Sequence, residues 1–131
     1  MSDKKRLLII DDEAAVTELL IALFSEEGYD VQSANDSTQA MAKIIEKIPD
    51  GVLLDVRFEK GDDGLTLLRR IRSFHHDDMD IEDQIRNIPV IVLTGAGENM
   101  KPLFELEGVV DFLQKPFDSL ELKKRVAQIL Q

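Results

Sequence analysis

Five residues in this chain have side chains suited to joint chemistry, and they stand far apart in order. Asp11 and Asp12 follow the apolar run LLII, residues 7–10. Asp55 lies inside GVLLDV, residues 51–56, Thr94 inside PVIVLTG, residues 89–95, and Lys115 directly before Pro116. Carboxylates brought into one pocket repel. At ~4 Å and an effective dielectric of ~20, each pair costs about 4 kcal/mol. Protonation of one member offsets this, as in carboxylate dyads. So does a divalent cation: Mg²⁺ takes a few carboxylate oxygens and fills its remaining positions with water and phosphate oxygens. A cation, an ammonium and a hydroxyl together stabilise a phosphoryl group in transfer. A carboxylate can itself be the nucleophile, forming an acyl phosphate. Asp55, alone between Leu54 and Val56, suits that part, and the Asp11–Asp12 pair suits cation binding.

For these tips to meet, the intervening segments must deliver them to one rim. Residues 5–10 are a short apolar run, as in a strand covered on both faces. Val16, Leu19, Leu20, Leu23 and Phe24 then repeat at helical spacing up to Gly28. Residues 30–34 form a short strand. Asp36 or Ser37 caps a helix with Met41, Ile44, Ile45 and Ile48 on its apolar face, ended by Pro49. Residues 51–56 are a buried strand, followed by a helix carrying Leu67, Leu68, Ile71 and Phe74. Residues 89–95 are a β-branched strand, 98–107 a weakly patterned short helix, and 109–114 a fifth strand. Asp118 and Glu121 form a capping-box pattern for a last helix with Leu122, Val126, Ile129 and Leu130.

Strand and helix therefore alternate five times. That order predicts an α/β fold: a flavodoxin-like five-stranded parallel sheet of order 2-1-3-4-5, with helices on both faces and right-handed crossovers. Its ligand site lies where strands 1 and 3 diverge, at their carboxyl ends. Asp11, Asp12 and Asp55 then converge there, with Thr94 and Lys115 arriving on strands 4 and 5.

Composition narrows the partners. The 131 residues suit one domain, 1–131, and the formal charge is −10 with no cysteine. Such a chain repels nucleic acid and anionic membranes, and no basic patch offsets this; direct nucleic-acid binding and membrane association are not expected. No apolar run spans a bilayer and no secretory signal is present, so the expected location is cytoplasmic. His75-His76-Asp77-Asp78 reads as a solvated or partner-facing loop, because adjacent residues rarely converge on one ion. Gly95-x-Gly97 reads as flexibility at a helix start, not a phosphate loop.

The pieces LLIIDDE, GVLLDV, DGLTLLRRIR, PVIVLTG and FLQKPF stand in an order and at spacings that resemble the receiver domain of bacterial two-component response regulators. The resemblance covers essentially the whole chain. It implies that Asp55 is the phosphoacceptor, taking a phosphoryl group from the phosphohistidine of a sensor histidine kinase or phosphotransfer protein. It implies Mg²⁺ as cofactor, ligated by Asp12, Asp55 and the backbone carbonyl of Arg57, with Asp11 acting through water. Thr94 and Lys115 would hold the phosphoryl oxygens, and Phe112 would be the aromatic switch that follows Thr94 inward. Lys115-Pro116 would be cis. The output would pass to a downstream protein target or a fused output domain through the face made by the fourth helix, fifth strand and fifth helix.

Three departures from the family pattern stand out. The loop after Asp55 is longer than usual and lacks Met-Pro, residues 73–87 carry an insertion, and the fourth helix is weakened by Gly95, Gly97 and Pro102. The Met1-Ser2 start reads as a genuine N-terminus. The sequence stops after its last helix, as expected of a stand-alone regulator or of a receiver cut from a longer protein. A metal-dependent phosphatase of the haloacid dehalogenase type is the rival enzyme. It needs an aspartate two residues after the nucleophile, where this chain has Arg57. A third reading is a binding module that keeps the fold without the chemistry.

Overall fold

The computed structural model describes residues 4–56, 61–95 and 101–130. Five strands, β1 (Arg6–Ile10), β2 (Asp30–Ala34), β3 (Gly51–Val56), β4 (Val90–Thr94) and β5 (Asp111–Gln114), form one parallel sheet in the order β2-β1-β3-β4-β5. Among the described residues six helices surround it: α1 (Ala14–Glu26), α2 (Ser37–Glu46), α3 (Gly61–Arg72), α4 (Met79–Arg86), α5 (Lys101–Leu106) and α6 (Ser119–Ile129).

The two-residue period of the strands divides the core between two faces. Leu8, Ile10, Val52, Leu54, Val90 and Val92 point to one side, against Met41 and Ile44 of α2, Leu67, Leu68 and Ile71 of α3, Ile85 of α4 and Phe104 of α5. Leu7, Ile9, Leu53, Ile91 and Leu93 point to the other, against Leu20 and Phe24 of α1 and Leu122 and Val126 of α6. Burial on both faces is why the strands read as unbroken apolar runs.

Helix ends follow their local chemistry. The Asp36 carboxylate, rather than Ser37, caps α2 by accepting the Gln39 N–H at 2.8 Å. At the end of α1, Gly28 takes φ +94°, its N–H reaches Ser25 O, and the Tyr29 N–H reaches Phe24 O. The Tyr29 and Phe24 rings pack at 6.1 Å, completing a Schellman closure. Asp118 caps α6 by accepting from the Leu120 N–H, and Glu121 bonds Arg125 instead of reaching back to the cap.

Four expectations are corrected. Leu19 and Ile45 are exposed, because each lies beside, not on, the stripe its helix buries. The simple strand–helix alternation is broken within the insertion 73–87. The second half of that segment is α4, capped by Asp78 and anchored by the buried Ile85, so two helices separate β3 from β4. The fifth strand starts at Asp111 instead of residue 109, although the Val110 N–H already bonds Val90 O.

Candidate phosphoryl site at the carboxyl end of the sheet

The register aligns Val56 with Thr94 and Thr94 with Gln114, so β3, β4 and β5 end level with one another. Lys115 follows directly, its N–H bonded to Thr94 O at 2.7 Å, and the Lys115-Pro116 peptide is cis. Asp11 leaves β1 with its N–H on Ala34 O of β2. Asp11, Asp55 and Thr94 are all buried, at 2%, 8% and 1% exposure. Three polar side chains in an apolar sheet end are costly unless each finds a partner.

Asp11 finds part of one. Its Oδ1 accepts the Glu13 N–H at 2.9 Å, which turns the chain into α1 and fixes the carboxylate inward. Its Oδ2 has no hydrogen bond, and neither does either oxygen of Asp55. The Lys115 ammonium stands 2.5 Å from Asp55 Oδ2, an ion pair that brings charge without the alignment of a hydrogen bond. Burial pushes the Asp11 carboxyl up to about 7; the Glu13 N–H opposes this, the neighbouring Asp55 carboxyl adds to it, and Lys115 opposes it. A proton or a cation between Asp11 and Asp55 satisfies the bare oxygens of both. The orphaned, buried, hard oxygen donors thus fit Mg²⁺.

Two of the three expected carboxylates stand together. Among the described residues no three acids stand close enough to hold a metal ion. Asp11 and Asp55 meet, while Asp12 is exposed. Arg57 and Gly97 lie outside the described residues.

Phe112 is half-buried on the α3/α5 side of the sheet. It is paired in register with Val92, two residues before Thr94 on the same face. Its ring lies 5.9 Å from that of Phe104 on α5, tilted by 44°. Phe104 escaped the sequence reading. Its only signal was one large apolar residue in a poorly patterned segment.

The same fold recurs in known proteins. A sequence model of the family described as "Response regulator receiver domain" matches residues 7–127. This chain belongs to that family. A transcriptional regulatory protein CpxR homolog of Haemophilus influenzae is 38% identical over 127 residues, 96% of this chain and 50% of the relative. This receiver thus spans about half the length of the curated relatives it matches. Among solved structures, a chain from Chloroflexus aurantiacus described as a response regulator superposes with a TM-score of 0.81 at 33% identity, covering 98% of both chains. The receiver domain of the sensor histidine kinase PA1611 from Pseudomonas aeruginosa, described with a magnesium ion in its active site cleft, shares the fold. Its TM-score is 0.78 at 23% identity, covering 98% of both chains. Among the described residues of this receiver, no helix is long and apolar enough to cross a membrane.

Proposed function

We propose that Asp55 is the phosphoacceptor of this receiver, and that phosphorylation there switches the domain between two conformations. The observation that carries the reading is the state of the Asp55 carboxylate. It is buried, its Oδ1 has no hydrogen bond, and its Oδ2 is paired with the Lys115 ammonium at 2.5 Å, so the group is held in place with one oxygen open to attack.

In the transfer, an Asp55 oxygen attacks the phosphorus of a phosphohistidine on a sensor histidine kinase or phosphotransfer protein. A P–O bond forms and the P–N bond breaks, its electron pair leaving on the imidazole nitrogen. Asp12, Asp55 and the Arg57 carbonyl would hold Mg²⁺ directly and Asp11 through water, the exposed Asp12 turning in to complete the set. When bound, the ion neutralises charge on the phosphoryl oxygens. Lys115 exchanges its carboxylate partner for a phosphoryl oxygen, and the Thr94 hydroxyl donates to another. Bonding to Thr94 favours the conformation in which it lies inward, and Phe112 shifts with it. This is a population shift, limited in size by the difference in phosphoryl bonding between the two states.

The domain is a phosphoacceptor, not an enzyme that turns over. Slow Mg²⁺-dependent self-phosphorylation by small phosphodonors and slow self-dephosphorylation are expected. The Arg57 side chain would screen the attacking water and lengthen the phosphorylated lifetime; Arg57→Ala should then shorten it, and an unaltered decay rate refutes that role. The output goes to a downstream protein target or a fused output domain, in the cytoplasm. The test is intact mass after acetyl phosphate and Mg²⁺. One added phosphoryl group on the wild type and none on Asp55→Asn supports the reading. Labelling of both proteins, or of neither, overturns it.

A further inference from the structure

The end of α3 holds a charged side chain that the phosphoryl chemistry does not use. Arg72 is the last residue of α3, and its guanidinium donates to four backbone carbonyls. Two lie at and just past the end of the insertion: Nη1 reaches Arg86 O at 2.9 Å and Ile88 O at 2.8 Å. Two belong to the turn after α5: Nε reaches Glu107 O at 2.7 Å and Nη2 reaches Gly108 O at 3.2 Å. Burial lowers the Arg72 pKa and the nearby Glu107 opposes this, but a guanidinium stays charged at any working pH. A cation between two helix C-termini also meets the negative ends of both helix dipoles.

Between these two ends runs a groove of about 420 Å³, bordered by Arg86, Asn87 and Ile88 on one side and Leu106, Glu107 and Gly108 on the other. Arg72 lines it and bridges the two sides. Among the described residues, the α5 segment has little else to fix it. Phe104 is its one buried residue among those described, and Leu103 and Leu106 are exposed. Its far end is held by Arg72 and by Arg69, which pairs with Glu107 at 3.3 Å. Phe104 in turn touches Phe112. A continuous path therefore runs from α4 through Arg72 to α5 and the aromatic on β5.

We propose that Arg72 is a latch that couples the inserted helix α4 to the α5–β5 unit, so that whatever loosens or grips α4 is felt at Phe112. The signalling consequence rests on the phosphorylation switch proposed above; the coupling itself does not. A receptor surface on α4 would in this way bias the switch without touching Asp55.

Amide hydrogen exchange on the unphosphorylated chain tests the latch. Ile81→Ala trims a partly buried α4 side chain that packs on the core. It should speed exchange about tenfold not only in α4 but also in α5 and the Glu107–Gly108 turn, with β1 and β3 unchanged. In an Arg72→Lys background, which keeps the charge and loses the fork, the same substitution should leave α5 exchange where Arg72→Lys alone has put it. Unchanged α5 exchange in Ile81→Ala overturns the proposal, as does an equal response with and without Arg72, or a uniform rise through the sheet. If Arg72→Lys does not fold, the response of α5 to Ile81→Ala alone decides. A chain that never accepts a phosphoryl group would defeat the functional reading and leave this result standing.

Discussion

The Lys115 ammonium lies 2.5 Å from the Asp55 carboxylate, joining the residue after β5 to the end of β3 across β4. The Asp55 side chain is almost wholly buried, and that of Lys115 is about a quarter exposed. Removing the cation strands a buried charge, which is the expensive way to break such a pair. Lys115→Ala should therefore destabilise the metal-free domain by about 1–3 kcal/mol, the water around Lys115 keeping the loss below that of breaking a fully buried pair. Mg²⁺ should stabilise the variant more than the wild type, because it meets a charge with no other counterion. Thermal melts with and without Mg²⁺ check this; equal Mg²⁺ shifts in both proteins would count against it.

Asp11 sets a dependence on pH. Its folded-state carboxyl is raised to about 7, first by burial, from an ordinary value of 3.8. Between these values the folded state binds more protons than the unfolded state, so metal-free stability falls as pH rises through about 4 to 7 and levels off above. Mg²⁺ competes with that proton, and its stabilising effect should grow across the same window. Urea unfolding at a series of pH values should show the fall in the wild type and a shallower one in Asp11→Asn. Parallel curves would show that Asp11 carries no shifted proton.

The Phe104–Phe112 contact ties a short helix to the sheet. Phe104 is fully buried, and Phe104→Ala should cost about 3–5 kcal/mol as transfer and cavity terms combine. Phe112→Ala should cost less, since that ring is only half-buried. Denaturant midpoints at constant slope test the order, and a larger loss at Phe112 would reverse it.

Gly28 closes α1 at φ +94° with open space around its missing side chain. Gly28→Ala meets no clash, so its cost is backbone strain alone, about 1 kcal/mol. A stability unchanged in chemical denaturation would mean that the turn relaxes freely.

The alternation of strands and helices and the order of the sheet were legible because burial on both faces leaves uninterrupted apolar strands. Asp55, Thr94 and Lys115 were placed by the same pattern, each at the point where an apolar run ends. What escaped was set by contacts distant in sequence. Helix α4 depends on Ile85 reaching the core beneath α3, and its short acidic pattern looks like loop until that contact exists. Leu19 shows the converse: helical spacing named it, but the stripe that packs is narrower than the stripe that is apolar.

The most direct test of the central claim is the position of the phosphoryl group. Treatment with acetyl phosphate and Mg²⁺, followed by borohydride, converts an aspartyl phosphate to homoserine, which peptide sequencing then locates. Homoserine at position 55 alone, absent when Mg²⁺ is chelated, is the expected result. Homoserine at position 11 or 12, or at no position, would contradict the assignment of Asp55.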